Sequence, residues 1–148
     1  MREILFRGKR TDCEAWVEGD LLHYESGEMA ICKGFSKYGY EATEIIGRYK
    51  VIPKTIGQFT GLTDKNGKRI FEGDILKSTI KFIDCNDEGY SILHHDIEDI
   101  GIVEWRKDGF MIAHKSGTWA RSFYGCENYV IGNIHDNPEL LKGGEDNG

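Results

Sequence analysis

Proline is nearly missing from this chain, with 2 in 148 residues against 19 glycines. Chain reversals must therefore rest on Gly and Asn turns, as they do in hairpin-rich proteins. No apolar run approaches the roughly 20 residues that cross a bilayer. The opening MREILFRGKR returns to charge straight after Ile4-Leu5-Phe6, so it reads as neither a secretion signal nor a membrane anchor. The four cysteines, Cys13, Cys32, Cys85 and Cys126, are scattered without a C-x-x-C pair. That excludes zinc-site spacing and a dense disulfide framework, and it points to free thiols in a reducing cytoplasm. Sustained helical periodicity is absent, and no internal repeat is visible. Also missing are G-x-S-x-G, a Walker glycine-lysine loop and H-E-x-x-H, so the chain carries no local signature of an enzyme.

What is present belongs to a folded protein. Seven Phe, seven Tyr and three Trp argue against disorder, and this length buries about two-thirds of the unfolded surface. Nineteen basic against 25 acidic residues give a net charge of −6, which opposes non-specific binding to a polyphosphate backbone. The charge is uneven. From Asp84 to Ile100 the acids Asp84, Asp87, Glu88, Asp96, Glu98 and Asp99 stand without one Lys or Arg, a local −6 equal to the whole.

Short alternating runs predict strands. Ile4 and Phe6 alternate with Glu3, Leu5 and Arg7, and Ala15-Trp16-Val17, Leu21 to Tyr24 and Met29-Ala30-Ile31 follow between turn residues, as in an antiparallel meander. Lys33 to Thr43 has aromatics but no clean period and reads as a loop. Pro53 closes a β-prone run, so it belongs at a strand end or on an edge strand, not inside a sheet. Asn66-Gly67 between Phe59-Thr60-Gly61-Leu62 and Arg69-Ile70-Phe71 predicts a tight hairpin, and Glu72-Gly73-Asp74 the next reversal. Lys107-Asp108-Gly109 reads as a three-residue hairpin loop. The acidic segment reads as a loop interrupting the strands. Asn137-Pro138-Glu139 has the grammar of a capped helix start. The expected fold is mainly β: an N-terminal antiparallel meander over residues 1–61, a small barrel-like unit over 62–141 and a polar tail over 142–148, with only short helical turns. Trp16, Trp105 and Trp119 are expected to anchor a core or an interface.

The block VIPKTIGQFTGLTDKNGKRIFEGDILK, Val51 to Lys77, resembles the central signature of the YopX-like proteins of bacteriophages and prophages. The opening with Trp16-Val17-Glu18-Gly19, and the ending VIGNIHDNPELL from Val130 to Leu141, are similar to that family's ends. Lys54 stands where the family's usual Pro-Glu-Thr has an acid, so no role of that carboxylate transfers. The resemblance implies a β-rich fold, a phage-related origin in a bacterial cytoplasm and self-assembly. It implies no activity, because the family has no established one and so no functional residues to carry over. Turn chemistry at Gly61, Gly67 and Gly73, with core filling by Phe59, Leu62, Ile70, Phe71, Ile75 and Leu76, accounts for most of the signature.

Several segments carry part of a chemical signature. Asp84-Cys85-Asn86-Asp87-Glu88-Gly89 begins like a calcium loop, but its twelfth position is His95 where a bidentate Glu is needed. His94-His95-Asp96 with Asp99 carries metal-ligating types, yet adjacent strand residues point to opposite faces. Arg48, Lys50, Lys54, Lys65, Lys68 and Arg69 interleave with Tyr49 and Phe59, a pattern suited to nucleic acid on a small barrel. The leading expectation is a cytoplasmic, non-enzymatic accessory protein without cofactor. It would bind a protein partner, another copy or a host component, through Asp84, Asp87, Glu88, Asp96 and Asp99. The alternative is a nucleic-acid-binding small barrel.

Overall fold

The computed structural model describes residues 2–35 and 45–142. It is mainly β, and its helical content is two short 3-10 turns, Pro53–Thr55 and Pro138–Leu141. No helix among the described residues is long and apolar enough to cross a membrane. The chain divides into two compact units, Met1–Gly61 and Leu62–Gly148. The first holds nine basic and nine acidic residues, leaving ten and sixteen to the second, so the whole −6 falls on the second unit.

In the first unit, strands β1 (Phe6–Lys9), β2 (Trp16–His23), β3 (Met29–Phe35), β4 (Ile45–Val51) and β5 (Gly57–Thr63) form an antiparallel sheet in the order β4-β3-β2-β1-β5. Alternation builds its core: Val17 opposite Gly8, Leu21 opposite Ile31 and Ile31 opposite Tyr49 put apolar side chains together. Val17, Ile31 and Val51 are buried, with Phe6, Met29 and Ile56 packed against them. Such burial contributes roughly 1.5–3 kcal/mol per large side chain. Pro53 sits just past the end of β4, where a missing N–H costs the ladder nothing. Thr55 is buried beside it; its hydroxyl accepts from Lys9 N–H at 2.9 Å and donates to Ile52 C=O at 2.6 Å. The expected loop from Lys33 is strand as far as Phe35, and its remainder, with Tyr38 and Tyr40, lies outside the described residues.

The chain turns at Asn66-Gly67 as expected, and β6 (Arg69–Phe71) returns along β5. Gly67 has φ +83°, a conformation that glycine adopts without strain. In the second unit, β7 (Asp74–Cys85), β8 (Ser91–Arg106), β9 (Gly109–His114), β10 (Ala120–Arg121) and β11 (Cys126–Asn133) form an antiparallel sheet in the order β10-β9-β8-β7-β11. Ile70, Leu76, Val103 and Ile112 are its buried core, joined by Phe110, Phe123 and Val130. Among the described residues β10 and β11 do not pair with each other, so this is an open sheet and not the closed barrel that short strands suggest.

Four local expectations change. The β8–β9 loop has two residues, Lys107 and Asp108, because Gly109 already pairs with Arg106. The acidic segment does not interrupt the strands; β7 and β8 run through it. Asn137 does not cap the last turn, since its side-chain oxygen instead accepts Asn133 N–H at 3.2 Å. Leu62, Trp105 and Trp119 are exposed, the tryptophans at 60% and 45%. Trp105 lies edge-on to Phe110, and Trp119 stacks on His114.

Asp64 ties the β5–β6 turn to the sheet. Its Oδ1 accepts Asn66 N–H at 2.8 Å and Lys68 N–H at 2.9 Å, and its Oδ2 accepts Val130 N–H of β11 at 3.0 Å. Lys65 N–H also donates to Asn128 C=O at 2.9 Å, so the turn covers the outer edge of β11. Burial pushes the Asp64 carboxyl up, but the three backbone N–H groups outweigh it and hold the carboxyl below its ordinary value.

Candidate partner-binding ribbon

β7 and β8 are much longer than their neighbours. They pair continuously from Ile75↔Ile102 to Asp84↔Leu93, and the ladder ends at Cys85↔Ser91. β11 accompanies β7 only as far as Ile80, and β9 accompanies β8 only from Gly101. Among the described residues, the hairpin from Lys81 to Asp96 is thus a two-stranded ribbon running beyond the five-stranded sheet. Its tip is a turn at Asn86 to Tyr90, not a metal loop. The Asn86 side-chain oxygen accepts Glu88 N–H at 3.0 Å and Tyr90 N–H at 2.9 Å, and Gly89 supplies φ +87°. The oxygen that a cation would need is bonded to the hairpin itself.

The five candidate acids separate. Asp87 and Glu88 sit at the exposed tip next to Tyr90, 68% exposed, and Asp96 lies exposed on β8 opposite Lys81. Among the described residues, no ion pair involves these three carboxylates. Glu98 is exposed but meets Lys77 at 3.3 Å. Asp84 is on β7, and its side chain, like those of His94 and His95, lies outside the described residues. Adjacent in one strand, His94 and His95 present their Cβ atoms to opposite faces. No group of three or more His, Cys, Asp or Glu side chains gathers among the described residues.

Asp99 does not belong with the others. It has the parity of Val103 and so faces the core side of the sheet, where its side chain is only 10% exposed. One oxygen takes Arg121 Nη1, and the other lies 3.1 Å from His114 Nε2. His114 Nδ1 accepts Ser116 N–H at 3.2 Å, and its ring stacks on Trp119 with centroids 4.7 Å apart. The register continues this polar row across the sheet: Ser78 opposes Asp99, Asn128 opposes Ser78, and Ser78 Oγ lies 2.6 Å from Asn128 Oδ1. A buried charge needs such partners, and this layer ends the apolar core on the ribbon side. Sequence reasoning placed Asp99 in the acidic group and overlooked Arg121 and His114. The even spacing from Asp99 to Gly101 and Val103 was the available signal.

The other residues singled out do not assemble into a stacking platform. Phe59 is buried. Tyr49 packs on the core of the first unit and lies under Arg10, 4.4 Å from guanidinium carbon to ring centroid. Lys50 meets Glu28 at 3.0 Å and Lys65 meets Glu127 at 3.5 Å. Arg48 and Lys54 are exposed in the first unit, and Lys68 and Arg69 in the second. The four cysteines are free thiols, with Cys13 and Cys85 exposed. A cavity of about 260 Å³ beside Leu62, Asp64, Phe123, Tyr124 and Cys126 has room for one side-chain-sized group, below the usual range of small-molecule sites.

No curated protein matches the chain. A solved structure, the crystal structure of protein EF1440 from Enterococcus faecalis, is similar: 28% sequence identity, 95% of this chain and 99% of that chain covered, and a TM-score of 0.59. A family model described as YopX protein matches residues 5–142. With that match spanning nearly the whole chain, both sheets and the ribbon included, the protein belongs to the YopX family.

Proposed function

We propose that this chain is a non-enzymatic accessory protein of phage or prophage origin. It works in the bacterial cytoplasm by holding a basic protein partner on the β7–β8 ribbon. One observation carries the reading: the ribbon leaves the sheet with Asp87, Glu88 and Asp96 exposed on it and outside any ion pair among the described residues. A projecting patch of one sign raises encounter rates with an oppositely charged surface and rejects like-charged ones. The most accessible chemistry here is charge and backbone hydrogen bonding, both of them binding chemistries. The nucleic-acid reading finds less support, since Phe59 is buried and Lys50 and Lys65 already meet carboxylates.

The test is affinity capture from host lysate with wild-type protein and with Asp87→Lys/Glu88→Lys/Asp96→Lys, at low and at high salt. Capture by the variant is expected to fall about tenfold at low salt, with a smaller difference at high salt, where screening already weakens the wild type. Equal capture by both proteins at low salt would refute the ribbon as the docking element. Nuclease treatment of the captured fraction separates a protein partner from nucleic acid.

A further inference from the structure

We propose that the outer edge of β8, from His94 to Glu98, takes up an extended Lys- or Arg-rich segment of a protein partner as an added β-strand. This inference rests on the ribbon reading above and specifies how the ribbon recognises its partner. β9 pairs with β8 from Arg106 to Gly101 and goes no further. The next bond on that side is Lys115 N–H to Ile100 C=O at 3.2 Å. Backbone groups alternate sides along a strand, and the register of β8 against β7 has no bulge from Ile102 to Leu93. The N–H and C=O groups of Glu98, Asp96 and His94 therefore face the side that β9 has left. Among the described residues no strand pairs with them.

An open row of donors and acceptors is a template for another strand. Proteins usually guard such an edge with lysine, proline or a bulge. Ser91 to Ile100 contains no Lys or Pro, and the bulge near the tip, which leaves Ile92 as the extra residue on β8, lies beyond the straight run from His94 to Glu98. What the edge carries is acid at two of its three outward positions, Asp96 and Glu98. A second copy of β8 laid along it would set carboxylate against carboxylate, and like charges directly opposite destabilise a strand pair. A basic strand would set Lys or Arg there instead. Asp96 has the larger part in this, because Glu98 already meets Lys77. A two-stranded ribbon is marginal by itself in water, and a third strand stabilises it, so uptake of a partner strand also orders the ribbon.

The experiment uses the full chain and a fluorescent peptide of about ten residues alternating Lys and Val, long enough for one ordinary strand. A second peptide of the same sequence is N-methylated at alternate residues, which keeps its charge and removes the edge-pairing N–H groups. The parent peptide is expected to bind at least about tenfold tighter than the methylated one, a difference of about 1.4 kcal/mol, and to slow amide exchange at Asp96 and Glu98. His94→Pro removes an outward N–H without altering the acids and is tolerated on an open edge; it should weaken binding by a similar factor. Equal binding of both peptides with unchanged exchange at Asp96 and Glu98 overturns strand addition while leaving charge-based docking on the ribbon intact. That exchange measurement is made on the wild type and does not depend on how the proline variant folds. Undiminished binding to Asp87→Lys/Glu88→Lys/Asp96→Lys overturns the ribbon reading itself. Self-association of the wild type that His94→Pro abolishes identifies a second copy as the occupant and overturns the basic segment.

Discussion

Replacing Asp64 by Ala removes one side chain and three hydrogen bonds, those from Asn66, Lys68 and Val130. A bond to a charged acceptor contributes about 1.5–3 kcal/mol net, and a buried donor left alone costs about 1–3 kcal/mol. Asn66 and Lys68 are exposed, so water replaces much of what their N–H groups lose; Val130 N–H faces the covered edge of β11 and recovers less. Together these give a loss of about 3 kcal/mol at neutral pH. Asp64→Asn should lose about 2 kcal/mol, because its amide keeps one acceptor but turns a donor toward another N–H. Urea unfolding followed by tryptophan fluorescence measures both as shifts in midpoint. The pH dependence adds a second check. The folded state holds this carboxyl below its ordinary value, so its stabilisation is fully present above the ordinary value and is lost as the pH falls through the lower, folded value. The gap between wild type and Asp64→Ala must therefore narrow below about pH 4. A loss under about 1 kcal/mol at pH 7, or a gap that widens in acid, would refute the assignment of Asp64 as the clasp between turn and sheet.

Two further outcomes follow from the packing of the second unit. Arg121→Met leaves Asp99 as a buried carboxylate beside His114 alone and should cost about 3–5 kcal/mol, whereas Asp99→Leu/Arg121→Met should recover most of that loss; thermal unfolding of the two variants compares them, and a double variant no better than the single one contradicts the pairing. Gly101→Ala brings a Cβ to 2.6 Å from Ile112 Cγ2 and 2.7 Å from Ala113 C=O, so about 2 kcal/mol of stability should be lost, and an unchanged urea midpoint would show that β8 and β9 lie farther apart.

The turns were legible because their chemistry is local. Gly67 and Gly73 need positive φ, and no distant residue supplies that requirement. The alternating runs are legible where one face is wetter than the other, as at Val17 and Val103. The acidic segment resembles a loop in sequence because it has few apolar residues, yet a ladder is made of backbone and needs no apolar alternation. Trp105 and Trp119 misled in the opposite direction: size and hydrophobicity suggest burial, but on this open sheet they rest against Phe110 and His114 at the surface.

By itself, then, the sequence determined that the chain is a glycine-punctuated β protein, where its tightest hairpins turn, and that its charge is concentrated between Asp84 and Ile100. These properties depend on residue type and on neighbours a few positions away. Only tertiary structure decided what the charges do. Asp96 and Asp99 are three residues apart, so they fall on opposite faces of β8, one toward water and the other toward Arg121 and His114. Asp64 reaches Val130, 66 positions along the chain. The open edge of β8 exists because β9 stops pairing at Gly101. Which acid is exposed, which is paired and which edge stays open depend on strand register, which forms between distant segments.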